Sequence, residues 1–246
     1  MKKQLLIAIV FLLFVKGYSQ ETQSKNEFLF AAVLKQLGLQ SSDVNEQLYR
    51  EKILPYNTTN TLMLLPKYRV NDTDSQGHTY LELDAYIVIA ENSTGKILQK
   101  FVEEEAWVSD ALVLTEITLD TGLYKLDDNN RAFGIRVSFT GSSAPNPYNY
   151  TDFSLFLIQN NKIHKILNNY KIDTFFGEWD TRCTGNFEEV TGVLTMDKSK
   201  SKGFNNLIVK NNTVKTTGYN TADGCEEKNK VLVSTRKLKY NGKEYK

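Results

Sequence analysis

The chain has 246 residues, 41% of them hydrophobic and 11% aromatic, with only four prolines. This composition suits a folded chain with a sizeable core and argues against disorder. Of the 30 Lys and Arg, three precede residue 20, so 27 face 29 Asp and Glu over the remainder; that near balance excludes a basic footprint for nucleic acid or anionic membrane.

The first segment, MKKQLLIAIVFLLFVKGYSQ, reads as an export signal. Lys2 and Lys3 form its basic end, Leu5 to Val15 its apolar core, and Gly17-Tyr18-Ser19 a small-x-small cleavage site. The apolar run is too short for a spanning helix, and no cysteine follows it to take a lipid. Residues 1–19 are therefore expected to be removed, leaving a periplasmic or secreted chain that begins at Gln20 and carries no transmembrane anchor.

Residues 20–60 read as a polar leader and a helical segment. In NEFLFAAVLKQLG, Phe28, Ala31, Ala32, Leu34 and Leu37 fall near helical spacing, with Asn26 to cap the start and Gly38 to end it. A second short helix is expected from Asp43 through Leu48 to Ile53, stopped before Pro55.

From residue 61 to 246 the pattern changes to alternation. LELDAYIVIAENSTGKILQKFVEEEAW holds two apolar runs around the turn ENSTGK, which is a hairpin. Its Ser-x-x-Lys is a decoy, because Ser catalysis of that type needs the Ser to open a helix. Leu112 to Leu126 alternates again, and RAFGIRVSFT sets Phe133, Ile135, Val137 and Phe139 on one face. The loop GSSAPNPYN leads to TDFSLFLIQ, and further runs follow at GVLTMD, NNLIVKNNTVKTT and KVLVSTRKLKY. The expected fold is mostly β: an antiparallel all-β domain, either a sandwich or a degenerate propeller-like stack of hairpins, with one or two short N-terminal helices.

Cys183 and Cys225 are the only cysteines. In an exported chain they are expected to pair. A nucleophilic Cys183 would need a neighbouring base, and His78 and His164 lie in other hairpins. The surrounding FFGEWDTRCTGNFEEV then reads as a structural corner, with Trp179 a buried ring beside the bridge and Asp180 in a local ion pair.

NDTDSQGH resembles a calcium loop, with Asp72, Asp74 and Gln76 as weak metal candidates and Gly77 at the turn. Gln76 weakens the fifth position, so a solvated turn is the expectation and no catalytic, cofactor or metal residue is assigned. Tyr148, Tyr150, Trp179 and Asp180 are the candidate binding surface, since exposed aromatic rings can stack on sugars or on a partner chain.

TLDTGLYKLDDNNRAFGIRVSFTGSSAPNPYNYTDF, GEWDTRCTGNFEE and the closing Leu238, Tyr240, Asn241, Gly242 and Tyr245 together resemble an uncharacterised family of exported proteins of Gram-negative bacteria. The resemblance covers roughly residues 61–246 and implies export without a known activity. The expected function is a non-enzymatic binding or structural β domain of the periplasm or envelope, with an envelope glycan or protein as partner. Two alternatives are an envelope or polysaccharide hydrolase using paired carboxylates among Asp84, Glu103, Glu105 and Asp180, and a calcium-stabilised carbohydrate-binding module.

Overall fold

A computed structural model describes residues 25–246 apart from His78; the expected export signal at 1–19 and its expected cleavage point before Gln20 lie outside the described residues. Two antiparallel sheets are present. Strands β1 (Arg50–Leu54), β2 (Asn57–Thr73), β3 (Thr79–Glu91) and β4 (Ile97–Ser109) form the first, in chain order. The second runs from β5 (Leu112–Lys125) through β6 (Arg131–Gly141), β7 (Tyr148–Gln159), β8 (Lys162–Trp179), β9 (Gly185–Ser201) and β10 (Phe204–Thr221) to β11 (Gly224–Leu238). Within each sheet every strand pairs with its neighbour in sequence, because short turns close each hairpin at little entropic cost; only β4 and β5 are not paired with each other, where the chain passes between the sheets. The result is two stacked sheets, the sandwich form of the expected all-β fold, not repeated blades.

The expected first helix exists as α1 (Glu27–Leu37), with Asn26 Oδ1 accepting from Leu29 N and Gly38 closing it in the left-handed region. Its inward face is rotated from the sequence expectation. Leu29, Phe30, Val33 and Leu34 are buried against Met63, Leu65, Val88 and Ala90, whereas Phe28 is 55% exposed. The second expected helix is absent. Ser41–Asp43 forms a single 3₁₀ turn and Arg50–Leu54 is a strand paired to β2. A short apolar run carries no decisive helical preference of its own, and the free edge of β2 captures it. Antiparallel structure therefore begins ahead of residue 61.

The centre of β2 is buried on both faces, which is why Leu62 to Leu65 is continuous rather than alternating. Met63 and Leu65 face the helix. Leu62 and Leu64 join Ile87 and Ile89 against Ile117, Phe133, Ile135, Val137 and Phe139 of the second sheet. The face foreseen for β6 is thus the one that meets the first sheet.

A further core occupies the opposite side of the long sheet. Phe153, Leu155 and Leu157 of β7 meet Leu194, Leu207, Val209 and Leu238 of the last three strands, and Tyr245 from the C-terminus. This packing is possible because β8 and β9 pair only over Asp173–Trp179 and Gly185–Thr191 and then separate. Gly192 allows the departure: a Cβ there would lie 2.4 Å from the Ile172 carbonyl oxygen. The returning strands are anchored where Asn205 N donates to Leu126 O and Tyr245 N to Ile166 O, each at 2.7 Å.

Candidate functional site

The stretch FFGEWDTRCTGNFEEV forms the end of β8, a tight turn and the start of β9. Cys183 in the turn is bonded to Cys225 on β11, with the two Cα atoms 5.4 Å apart. To reach it, the turn folds across β10 at Gly218, where a Cβ would stand 2.6 Å from the Cys183 carbonyl oxygen. The expected disulfide is therefore present and ties the corner to the last strand.

Two details of the corner differ from the sequence expectation. Asp180 has no ion pair among the described residues; its Oδ1 accepts the N–H groups of Arg182, Cys183 and Thr184 at 2.9, 2.8 and 3.0 Å. Trp179 is half-buried rather than part of the core. Its indole N–H donates to Ala144 O, and the backbone N–H groups of Trp179 and Gly177 donate to Pro145 O and Pro147 O, so this ring pins the 142–147 loop beside β8. Trp179→Ala is accordingly expected to cost only about 2 kcal/mol in a urea melt, less than truncation of a fully buried ring.

The three backbone N–H groups, led by that of Arg182, hold the Asp180 carboxyl below the usual carboxylate range. A depressed folded-state pKa contributes stability that is fully present above the unfolded value of about 3.9 and is lost as pH falls through the folded value. Melting temperature should therefore stay level toward neutral pH and drop below about pH 4, and Asp180→Asn should make the acid limb shallower in a pH series of thermal melts.

Tyr148 and Tyr150 do not share a surface with Trp179. Tyr148 pairs with Phe176, three residues before Trp179, so the tyrosines and the tryptophan project from opposite faces of the sheet. The contacts agree. Tyr150 stacks on Phe139 at 4.9 Å and carries Tyr148 beside it at 5.5 Å, whereas Trp179 and Phe175 flank Phe187 at 6.0 and 6.1 Å. Lys171 Nζ sits 3.6 Å from the Tyr150 ring centroid and donates to Tyr148 Oη. These rings are half-buried packing groups of an interior strand.

Opposite Lys171 lies Asp152, whose Oδ1 is buried with no hydrogen-bond partner. Burial pushes its carboxyl above the ordinary range although Lys171 and Lys165 oppose the shift. Holding it charged at neutral pH thus weakens the fold. Asp152→Asn should raise the urea midpoint at pH 7, and the gain should vanish in acid, where the native carboxyl is already neutral.

The four carboxylates considered for hydrolysis do not form one site; only Asp84 and Glu105 meet, at Arg69. Asp84 is buried and accepts from Arg69 Nε at 3.1 Å and Glu105 N at 3.0 Å, with Lys67 Nζ 3.6 Å away. Burial acts to raise its carboxyl, but the Glu105 N–H together with Arg69 and Lys67 outweighs it and holds the group low. Glu105 stands 3.5 Å from the same guanidinium, Glu103 pairs with Lys165 at 2.9 Å, and Asp180 belongs to the corner turn. Asp84, Glu103 and Glu105 are each held by a cation from another strand, and Asp180 by its own turn.

A cleft of about 850 Å³ opens at one end of the stacked sheets. Asn45, Gln47 and Leu48 enter from the segment before β1, Asp72, Asp74, Thr79, Tyr80 and Leu81 from the β2–β3 hairpin, and Ser142 from the loop after β6. Ser109, Asp110 and Ala111, where the chain passes between the sheets, complete it with Val113, Leu114 and Thr115. Local hydrogen bonds set this passage: Ser109 Oγ and Asp110 Oδ1 accept from Leu114 N and Leu112 N, each at 3.0 Å. Leu48, Leu81 and Leu114 supply the apolar floor; no Lys or Arg lines the cleft among the described residues.

Two of the weak metal candidates, Asp72 and Asp74, lie on the cleft wall, while Gln76 does not. Asp72 is paired with Tyr80 across the hairpin, and Asp74 Oδ1 accepts Gln76 N in a turn that Gly77 completes at φ 87°. Among the described residues, no three His, Cys, Asp or Glu side chains are placed to hold a metal ion. His78 lies outside the described residues. The cleft itself escaped the sequence reading, because its walls come from segments spread over residues 45–142; the acidic hairpin was the only signal of it. No protein-family model, curated protein or solved structure matches this chain.

Proposed function

We propose that this chain is an exported, non-enzymatic β domain that binds an uncharged, hydroxyl-rich component of the cell envelope, of the glycan type, in the cleft between its sheets. The cleft carries the reading. Its volume falls in the range of small-ligand sites, and its walls present carboxylates, amides and hydroxyls beside one aromatic ring, Tyr80. A sugar offers donors to Asp72 and Asp110, hydrogen bonds to Asn45 and Gln47, and a C–H face to the ring. The absence of cationic groups among the described lining residues disfavours an anionic ligand. Export is supported by the Cys183–Cys225 bond, which persists in oxidising compartments, and by the basic-apolar N-terminal segment. The resemblance to exported proteins of Gram-negative bacteria fits the same location.

A glycan array followed by calorimetry on the best hit tests the reading. Tyr80→Ala and Asp110→Asn, which keeps the Oδ1 acceptor for Leu112 N, should each weaken binding by about tenfold or more while leaving the melting temperature within about two degrees. Absence of any glycan binding, or binding indifferent to both substitutions, overturns the cleft as the site. Release of reducing ends from a bound oligosaccharide overturns the non-enzymatic reading.

A further inference from the structure

The long sheet ends on β11, a strand of 15 residues that is exposed along its whole length except at Leu238. A long free edge presents unpaired backbone donors and acceptors, and natural sheets usually blunt it. Charges do flank this edge, but its middle is apolar: Val231, Leu232 and Val233 are 60%, 42% and 61% exposed. The apolar character also continues inward. Val231 pairs with Val214, and the register places Val231, Val233, Val214 and the 57%-exposed Val193 on one outer face. Such a strand is built to be covered.

The arrangement of charges along β11 says by what. In an antiparallel pair of identical strands related by a two-fold axis at Val231, residues equidistant from Val231 face one another. Glu226 then meets Arg236, and symmetry repeats the pair at the other end. Val231 meets its own copy, Lys230 meets Leu232, and Asn229 meets Val233. Both members of the charged pair are available: Glu226 accepts only from Tyr219 Oη at 3.1 Å, and Arg236 lies 5.9 Å from the Tyr170 ring, with neither in an ion pair among the described residues. Moving the axis by one residue, to Leu232, sets Lys228 against Arg236. That register would also bring Glu227 to Lys237, but Lys237 is already paired to Asp197 at 2.6 Å. The Leu232 axis would also set Val231 against Val233 and Leu232 against its own copy, so apolar pairing does not favour Val231; charge selects the Val231 register.

We propose that β11 pairs with β11 of a second copy of this chain, antiparallel about Val231, joining the two long sheets into one. The partner strand completes the backbone hydrogen bonds of the edge, sets Val231 against its own copy and is locked in register by two Glu226–Arg236 pairs. None of these residues lines the cleft.

Sedimentation velocity across about 1–200 μM tests this, since edge pairing of one strand belongs to the micromolar class. The wild-type chain should shift from monomer to dimer within that range. Glu226→Arg and Arg236→Glu each replace two attractive pairs by two repulsive ones and should weaken self-association by about tenfold or more. An equimolar mixture of the two variants should recover the wild-type dimer, because each Arg of one chain then faces a Glu of the other. The double variant, E226R with R236E in one chain, should recover it too. A chain that stays monomeric throughout overturns the proposal, as does a dimer that both single variants leave unchanged.

Discussion

Replacing Cys183 and Cys225 by serine is expected to lower the unfolding free energy by about 2–5 kcal/mol. The bond closes a loop of 42 residues, for which the chain-entropy argument gives about 4 kcal/mol before native strain. The loss should be shared between the two ends of the bridge. At one end the turn loses its hold across Gly218; at the other, the start of β11 is released from the β8–β9 corner. Urea denaturation of the oxidised protein beside the double serine variant measures the difference. The unreduced, unfolded chain should titrate with no free thiol, and two thiols per molecule would remove the bond from the account.

Phe153→Ala should destabilise by about 3–5 kcal/mol, the cost of emptying a wholly buried ring. Phe153 is 0% exposed, packs against Tyr124 at 5.7 Å and carries the Arg136 guanidinium 4.8 Å from its centroid. Arg136 in turn is bonded to Asp120 at 3.1 Å, so the ring supports a charged pair as well as its apolar neighbours. The returning strands β9 and β10 pack onto the same cluster, and losing the ring should weaken their attachment. Hydrogen exchange of Phe153→Ala is expected to show lost protection in Leu207 and Val209 before the first sheet is affected. A loss below about 1 kcal/mol would mean that the cavity collapses and that this second core is loosely packed.

Much of the architecture was legible in one dimension. Alternating residues in β5 and in the second half of β6 follow from strands with one apolar face, whereas Phe153–Leu157 of β7 is buried on both faces; turn residues such as Asn92 and Gly95 in ENSTGK mark the hairpins whatever lies above or below them. The disulfide was legible because two cysteines allow a single pairing and the sequence reads as that of an exported chain. The inward stripe of α1 was displaced by about one residue, since Phe28 and Phe30 suit the pattern almost equally and only the surface of β2 and β3 distinguishes them.

The candidate site was far less legible, for a different reason. Tyr148 and Trp179 are both aromatic and near turns, but which side each faces depends on the register between β7 and β8, with its bulge at Thr151 and Asp152. Arg50–Leu54 became a strand because β2 offered it an edge. The carboxylates Asp84, Glu103 and Glu105 look alike in sequence; Arg69 and Lys165, brought from other strands, decide what each one does. The cleft exists only where four distant segments meet at the end of two stacked sheets. Local periodicity and turn chemistry, which act over a few residues, determined the strands and the bridge. Register, stacking and long-range ion pairing act between residues tens of positions apart, and the tertiary structure alone decided the faces, the partners and the cavity.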